Sequence, residues 1–263
     1  KRGLYGIPSL NMTARDFFMT TNFAYSRKSD AWLYVLPKRV ASPELSMFCS
    51  HLLGELETRR NQMEDPYTFR GIREYTYGDT YGKINWKATA KASKLMVNMY
   101  GYTSEQRVRI LLNLETNIMV KTEYLQEMSI RMAGTIAEYF LQHKVSVELV
   151  SNGIDCMTGA CERVEAGMSM EHGETIDKYL ARIKENAGID AFMQMVDTEI
   201  QQMEEPITYV IISPYYKEDL LLKLDYMHKN NPELHMVVPY YDIQDKTGWR
   251  GYMQGVEVKW NEI

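Results

Sequence analysis

Apolar positions change their period along this chain. In residues 1–36 they fall in short strand-like groups: Leu4, Tyr5 and Ile7 around turn glycines, then Trp32-Leu33-Tyr34-Val35-Leu36, stopped by Pro37. From Ser42 the period becomes helical. Ser42 suits an N-cap, Pro43 suits the first turn, and Leu45, Phe48, Leu52 and Leu56 recur at the spacing of one helix face, which predicts an amphipathic helix to about residue 60. Residues 61–66 are polar and include Pro66, and they read as a loop.

The second half alternates more regularly. Residues 107–114 have the near-continuous apolar run of a buried strand. A helix over 121–143 follows, with Leu125, Met128, Met132, Ile136 and Phe140 on one face. Residues 145–150 read as a strand, 156–164 as a hairpin around Thr158-Gly159, and 174–186 and 190–203 as helices. Strands over 207–212, 234–238 and 256–260, with a helix over 217–230 ended by Asn231-Pro232, complete the pattern. Strands separated by helices of this length imply βαβ crossovers and a mostly parallel sheet. The expected organisation is an α/β fold, a doubly wound, Rossmann-like sheet in residues 106–263, preceded by a smaller β-rich domain with one amphipathic helix in residues 1–105.

Composition narrows the function classes. A chain of 263 residues has room for two domains, and 45% hydrophobic with 25% charged residues is an ordinary globular balance. The net charge of −5 disfavours binding to a phosphate backbone, so nucleic acid is not an expected partner. Cys49, Cys156 and Cys161 are too few for a disulfide framework and read as reduced thiols. No apolar run reaches the roughly 18 residues a membrane helix needs. The 18 methionines are scattered over apolar faces and suit core filling.

One block stands out. Phe69-Arg70-Gly71-Ile72-Arg73-Glu74-Tyr75-Thr76-Tyr77-Gly78-Asp79, continued by Ile84-Asn85-Trp86-Lys87-Ala88-Thr89-Ala90 and Leu95-Met96-Val97, resembles the signature of domain-of-unknown-function family fifty-eight. Arg2-Gly3-Leu4-Tyr5 and Arg15-Asp16-Phe17-Phe18 are similar to two further elements of that family. The resemblance implies a membrane-anchored bacterial or archaeal protein with a von Willebrand factor A-like domain after the signature. It further implies a soluble part on the cytoplasmic face of the cell membrane and a MoxR-type AAA+ ATPase as partner. No enzymatic activity is established for that family. Its anchors would precede Lys1, in keeping with a pattern that opens mid-alternation without a methionine.

The block also has a physical reading of its own. Gly71 and Gly78 suit turns, and Asp79 can satisfy backbone donors. Arg70, Arg73, Glu74 and Asp79 suit an ion-paired network with Trp86 packed over it. Lys87, Lys91 and Lys94 fall at i, i+4 and i+7, the spacing of a basic helix face. Two readings stand: a rigid joint between domains, or a docking surface made of Arg70, Arg73, Asp79, Asn85, Trp86, Lys87, Lys91 and Lys94.

The von Willebrand factor A resemblance also implies where a metal would sit: an Asp-x-Ser-x-Ser run after the first strand, with a Thr and an Asp from later loops, all hard oxygen donors for Mg²⁺. Here that run is Glu115-Thr116-Asn117-Ile118-Met119, and Ser213-Pro214 stands where the later Asp is expected. The site is degenerate at Glu115, Asn117, Met119 and Ser213, so no metal or cofactor is expected; Mg²⁺ or Mn²⁺ at a variant site around Glu115 and Asn117 is the alternative. Glu115 and Thr116 can still line a polar pocket at the strand ends. Gly78 to Lys83 is one residue short of a phosphate loop and is followed by Ile84 instead of Ser or Thr. Gly167-Met168-Ser169-Met170-Glu171 lacks the second glycine of a nucleophile elbow. His51, His143, His172, His228 and His235 show no metal-ligand spacing. The expected function is a non-enzymatic protein-interaction module, adaptor or partner of a MoxR-type ATPase in assembling cell-envelope complexes. A metal-dependent binding domain and a hydrolase are the alternatives.

Overall fold

A computed structural model describes residues 1–62, 64–102, 106–115, 122–184, 190–203, 207–240 and 249–257; for residues 60–62, 64–68, 101–102 and 122–123 it describes the backbone alone. The chain opens with two long antiparallel strands, β1 (Gly3–Arg15) and β2 (Asn22–Val35), in place of the short strands expected. Most side chains of this ribbon are exposed on both faces, so no clean inside–outside alternation marks its length in the sequence. Asp16 closes its turn, accepting from the Thr20 and Thr21 amides at 2.7 and 3.1 Å. Arg2 ties its base to the sheet domain, donating to Glu127 at 3.0 Å and to the carbonyls of Leu180 and Ile183 at 2.5 and 2.9 Å.

Helix α1 (Pro43–Gln62) starts as the sequence predicts, with the Ser42 hydroxyl accepting from the Leu45 amide at 3.3 Å. Among the described residues of the stretch expected as a loop, 61–66, α1 runs to Gln62, and β3 (Glu64–Glu74) pairs antiparallel with β4 (Met96–Tyr102) from Glu64 onward. Cross-strand pairing overrides the polar composition, and the register slips between Asp65 and Phe69, around Pro66, which has no amide to donate. The short helix α2 (Trp86–Ala92) lies between these two strands.

The remaining elements are β5 (Arg107–Leu112), α3 (Thr122–Gln142), β6 (Ser146–Asp155), β7 (Cys161–Gly167), α4 (Met170–Arg182), β8 (Ile183–Lys184), α5 (Ala191–Gln201), β9 (Ile207–Ile212), α6 (Glu218–Asn230), β10 (Leu234–Tyr240) and β11 (Met253–Glu257). They form a seven-stranded sheet of order β11-β10-β9-β5-β6-β7, with β8 also paired to β6. The pairings among β11, β10, β9, β5 and β6 are parallel; β7 and β8 run antiparallel to β6. The expected mixed α/β fold with a mostly parallel sheet between helices is present. Helix α4 begins at Met170 instead of near 174 because the Ser169 hydroxyl caps it, accepting from the His172 amide at 3.0 Å. The last strand begins at Met253, earlier than expected, and residues 258–260 lie outside the described residues.

Two apolar layers hold the sheet. Val108, Ile110 and Leu112 of β5, with Val210 and Ile212 of β9, face Met132, Ile136 and Phe140 of α3 and Leu45, Leu52 and Leu56 of α1. Leu111, Tyr209 and Ile211 face Phe192 and Val196 of α5 and Leu220 and Leu224 of α6. Each fully buried side chain of this size contributes about 1.5–3 kcal/mol. Helix α1 therefore covers the same sheet face as α3. Its Cys49 is buried among these residues, which pushes the thiol up to about 12. Among the described residues no helix is long and apolar enough to cross a membrane.

On the α5 side the sheet carries a buried ionic cluster. Arg109 of β5 reaches Glu148 of β6 at 2.7 Å and Glu199 of α5 at 2.5 Å, and Arg163 of β7 pairs with both carboxylates from the rim. Burial opposes the Arg109 charge, but the hydrogen bond it donates to Glu148 and the charges of both glutamates outweigh it and hold its pKa above the ordinary value.

Candidate functional site

In an open α/β sheet, ligands bind outside the carboxyl ends of the strands where the strand order reverses. Here the chain goes from β5 to β6 on one side and later to β9 on the other, so the switch point lies beyond Leu112 and Ile212. Asn113 and Ser213 meet there, both buried. The Asn113 amide donates to the Ser213 hydroxyl at 3.0 Å, and its carbonyl oxygen accepts from the Glu115 amide at 2.9 Å. The Ser213 hydroxyl also donates to the Tyr215 carbonyl at 2.8 Å and accepts from the Tyr215 amide at 3.1 Å. Asn152 accepts from the Leu114 amide at 2.7 Å. These polar groups close a local network on one another.

Glu115 reaches across the switch point and accepts from the Phe192 amide at 2.9 Å, with a second bond from the Ala191 amide. Its carboxylate thereby caps the first turn of α5, whose N-cap residue Asp190 makes no side-chain capping bond. Burial raises the Glu115 pKa, the helix amides oppose the shift, and Asp190 and Asp219 add to it. Tyr215 donates to Asp219 at 2.7 Å, and burial followed by that bond pushes its phenol up to about 12. As a fit for a hard divalent cation this arrangement is poor: the Ser213 oxygen is saturated by protein partners and Glu115 is turned onto a helix end. Thr116, Asn117 and Met119 lie outside the described residues.

The signature block folds as β3, a tight turn, one 3₁₀ turn (Tyr81–Lys83), α2 and β4. Arg73 grips Asp79 with two nitrogens at 2.7 and 2.6 Å, and Asp79 accepts from the Thr76 amide at 2.8 Å. The Arg73 bonds and the Thr76 amide hold the Asp79 carboxyl far below the usual carboxylate range. Glu74 pairs instead with Lys94 at 3.3 Å. Asn85 caps α2, accepting from the Ala88 amide at 2.9 Å, and donates to Asn98 of β4 at 2.8 Å. The expected three-lysine face is broken, because Ser93 turns left-handed (φ 55) and ends α2 after Lys87 and Lys91, leaving Lys94 on the return to β4. Trp86, expected over an ion-paired network, stands 69% exposed, since α2 buries none of its seven residues. Arg70 is exposed on β3. Phe69, Ile72, Tyr77 and Tyr81 of the same block are also exposed, with Tyr81 stacked on Tyr75.

The β1–β2 ribbon also carries exposed aromatic side chains. Its tip carries Phe17 and Phe18 at 94% and 80% exposure, and Phe23, Tyr25 and Trp32 line its length. Most large exposed hydrophobic side chains among the described residues lie before residue 100. Cys156 and Cys161 are exposed thiols near the β6–β7 turn, without a disulfide; Cys161 stands opposite Ile154, not Cys156, in the strand register.

A third location was invisible to sequence spacing. Glu55 of α1, Glu233 and His235 offer ligand atoms within 4.8 Å of one another, at the amino-terminal end of β10 and on the opposite edge of the sheet from the switch point. A scan of known protein families returns no match for this chain, and a search of curated proteins returns none.

Proposed function

We propose that this chain is the water-exposed part of a membrane-anchored bacterial protein of domain-of-unknown-function family fifty-eight, with a von Willebrand factor A-like sheet domain that binds partners without enzymatic activity of its own. The signature residues support the family reading, and a mostly parallel doubly wound sheet after them supports the domain reading. The partner is a MoxR-type AAA+ ATPase on the cytoplasmic face, in the assembly of cell-envelope complexes.

One observation carries the interaction reading. Most of the large exposed aromatic and aliphatic side chains among the described residues stand on the signature block and on the β1–β2 ribbon, outside the sheet, a concentration that suits docking of a partner. At the switch point, by contrast, Asn113, Glu115 and Ser213 are engaged with the protein itself. Binding is therefore metal-independent and runs through Arg70, Ile72, Trp86, Lys87 and their neighbours. Purification of the tagged full-length protein from its own membranes, with chemical cross-linking, with and without ATP, tests this. Recovery of an AAA+ ATPase is the expected outcome; its absence after cross-linking removes the partner, and loss of binding in chelator removes the metal-independent mode.

A further inference from the structure

The cluster at the amino-terminal end of β10 draws on two short spacings that the fold brings together. His51 and Glu55 are i, i+4 on one face of α1, Glu233 immediately precedes β10, and His235 is the second residue of that strand. Glu55 stands between the two imidazoles, one oxygen 3.5 Å from His51 Nδ1 and the other 3.5 Å from His235 Nε2. The second oxygen and His235 Nε2 are buried, and among the described residues neither has a hydrogen-bond partner. A buried carboxylate oxygen and a buried ring nitrogen left in that state are costly unless something fills the gap between them.

We propose that Glu55, Glu233 and His235 form a binding site for a divalent transition metal of zinc's class, with His51 within reach of the same carboxylate. One imidazole nitrogen and two carboxylates are a borderline donor set that suits zinc, manganese or iron(II) better than magnesium or calcium. Tetrahedral ligand atoms about 2.1 Å from zinc lie about 3.4 Å from one another. The separation between His235 Nε2 and the Glu55 oxygen, 3.5 Å, already matches that spacing. The site is reachable: it borders a cleft of about 810 Å³ lined by Glu44, His51, Glu55, His228, His235 and Arg250 among others, and Glu55 and Glu233 line a second cleft that shares His51 with the first.

The His235 ring is seated against Phe48, their centroids 6.0 Å apart. Arg59 pairs with Glu233 and lines the same cleft as Glu55 and Glu233.

The test is calorimetric titration of the chelator-treated protein with zinc chloride. One zinc per chain is expected, with affinity reduced at least about tenfold by His235→Ala and by Glu55→Gln. The Cys156→Ser, Cys161→Ser double variant, which removes the exposed thiols, is expected to bind zinc as the unaltered chain does. Anomalous diffraction at the zinc edge should place the ion beside Glu55 and His235. Circular dichroism checks that each variant folds; if His235→Ala does not, Glu55→Gln, which keeps the side-chain shape, carries the test. The proposal is overturned if no zinc binds, if both ligand variants bind it unchanged, or if binding is lost only with the thiols.

Discussion

Arg109 offers the sharpest test of how the sheet is held. Its guanidinium is buried between Glu148 and Glu199, both 2% exposed, and Arg163 approaches the same carboxylates from a position 31% exposed. Arg109→Met preserves most of the side-chain volume but leaves two buried carboxylates to share one half-exposed cation. Breaking a buried pair by removing one partner costs about 3–5 kcal/mol. With a urea slope of about 3 kcal/mol per molar, the unfolding midpoint should fall by roughly 1–1.7 M. Urea titration followed by both far-ultraviolet circular dichroism and tryptophan fluorescence measures this and shows whether the two signals still coincide. Adding Glu148→Gln to Arg109→Met removes one of the stranded charges and should recover part of the loss. A loss under about 1 kcal/mol in the single variant would refute the reasoning, because it would mean the carboxylates are solvated or protonated at little cost.

Two further outcomes follow from the sites. Glu115→Gln keeps an oxygen for the Phe192 amide without a buried charge, so it should match or exceed the unaltered stability near neutral pH, whereas Glu115→Ala should lose about 1 kcal/mol with the cap. Because the folded Glu115 pKa is raised, its proton favours folding below the unfolded carboxyl pKa, and that contribution disappears as pH rises through the folded value; the gain of the Gln variant should therefore be larger near pH 7 than near pH 4, read from urea midpoints. Asp79 has the opposite sign: its depressed pKa makes the Arg73 clasp fully present above the ordinary carboxyl range and lost as pH falls through the folded value. Carbon-detected titration of the Asp79 carboxyl should show it ionised well into acid, and Arg73→Met should move it back up; an unchanged titration in that variant would deny Arg73 its role.

What the sequence made legible follows the physics of each element. Residues 207–212 are apolar without interruption because β9 is covered on both faces, and the expected bounds match the observed strand. The face of α3 was readable because Met132, Ile136 and Phe140 pack on one layer. The length of β1 and β2 was hidden, since an exposed ribbon leaves no alternating pattern. Residues 61–66 read as a loop because their pairing to β4 is a long-range contact that local composition does not record. The same limit applies to the sites. Glu115 could be seen as a departure from the metal pattern, but its use as a cap for α5 depends on a helix that starts far along the chain. Glu55 and His235 carry no shared motif and meet because α1 lies over the sheet face that β10 helps to form.

The central claim, that partners dock on the exposed signature block, is tested most directly by site-specific photocrosslinking. A photoreactive phenylalanine analogue is placed at Trp86, and in a second variant at Tyr226, an aromatic side chain also exposed to solvent, on α6. Irradiation of cells expressing each full-length variant, followed by purification, should give a discrete adduct containing an AAA+ ATPase from position 86 and none from position 226. Adducts from 226 alone, or the same set from both, would contradict the account.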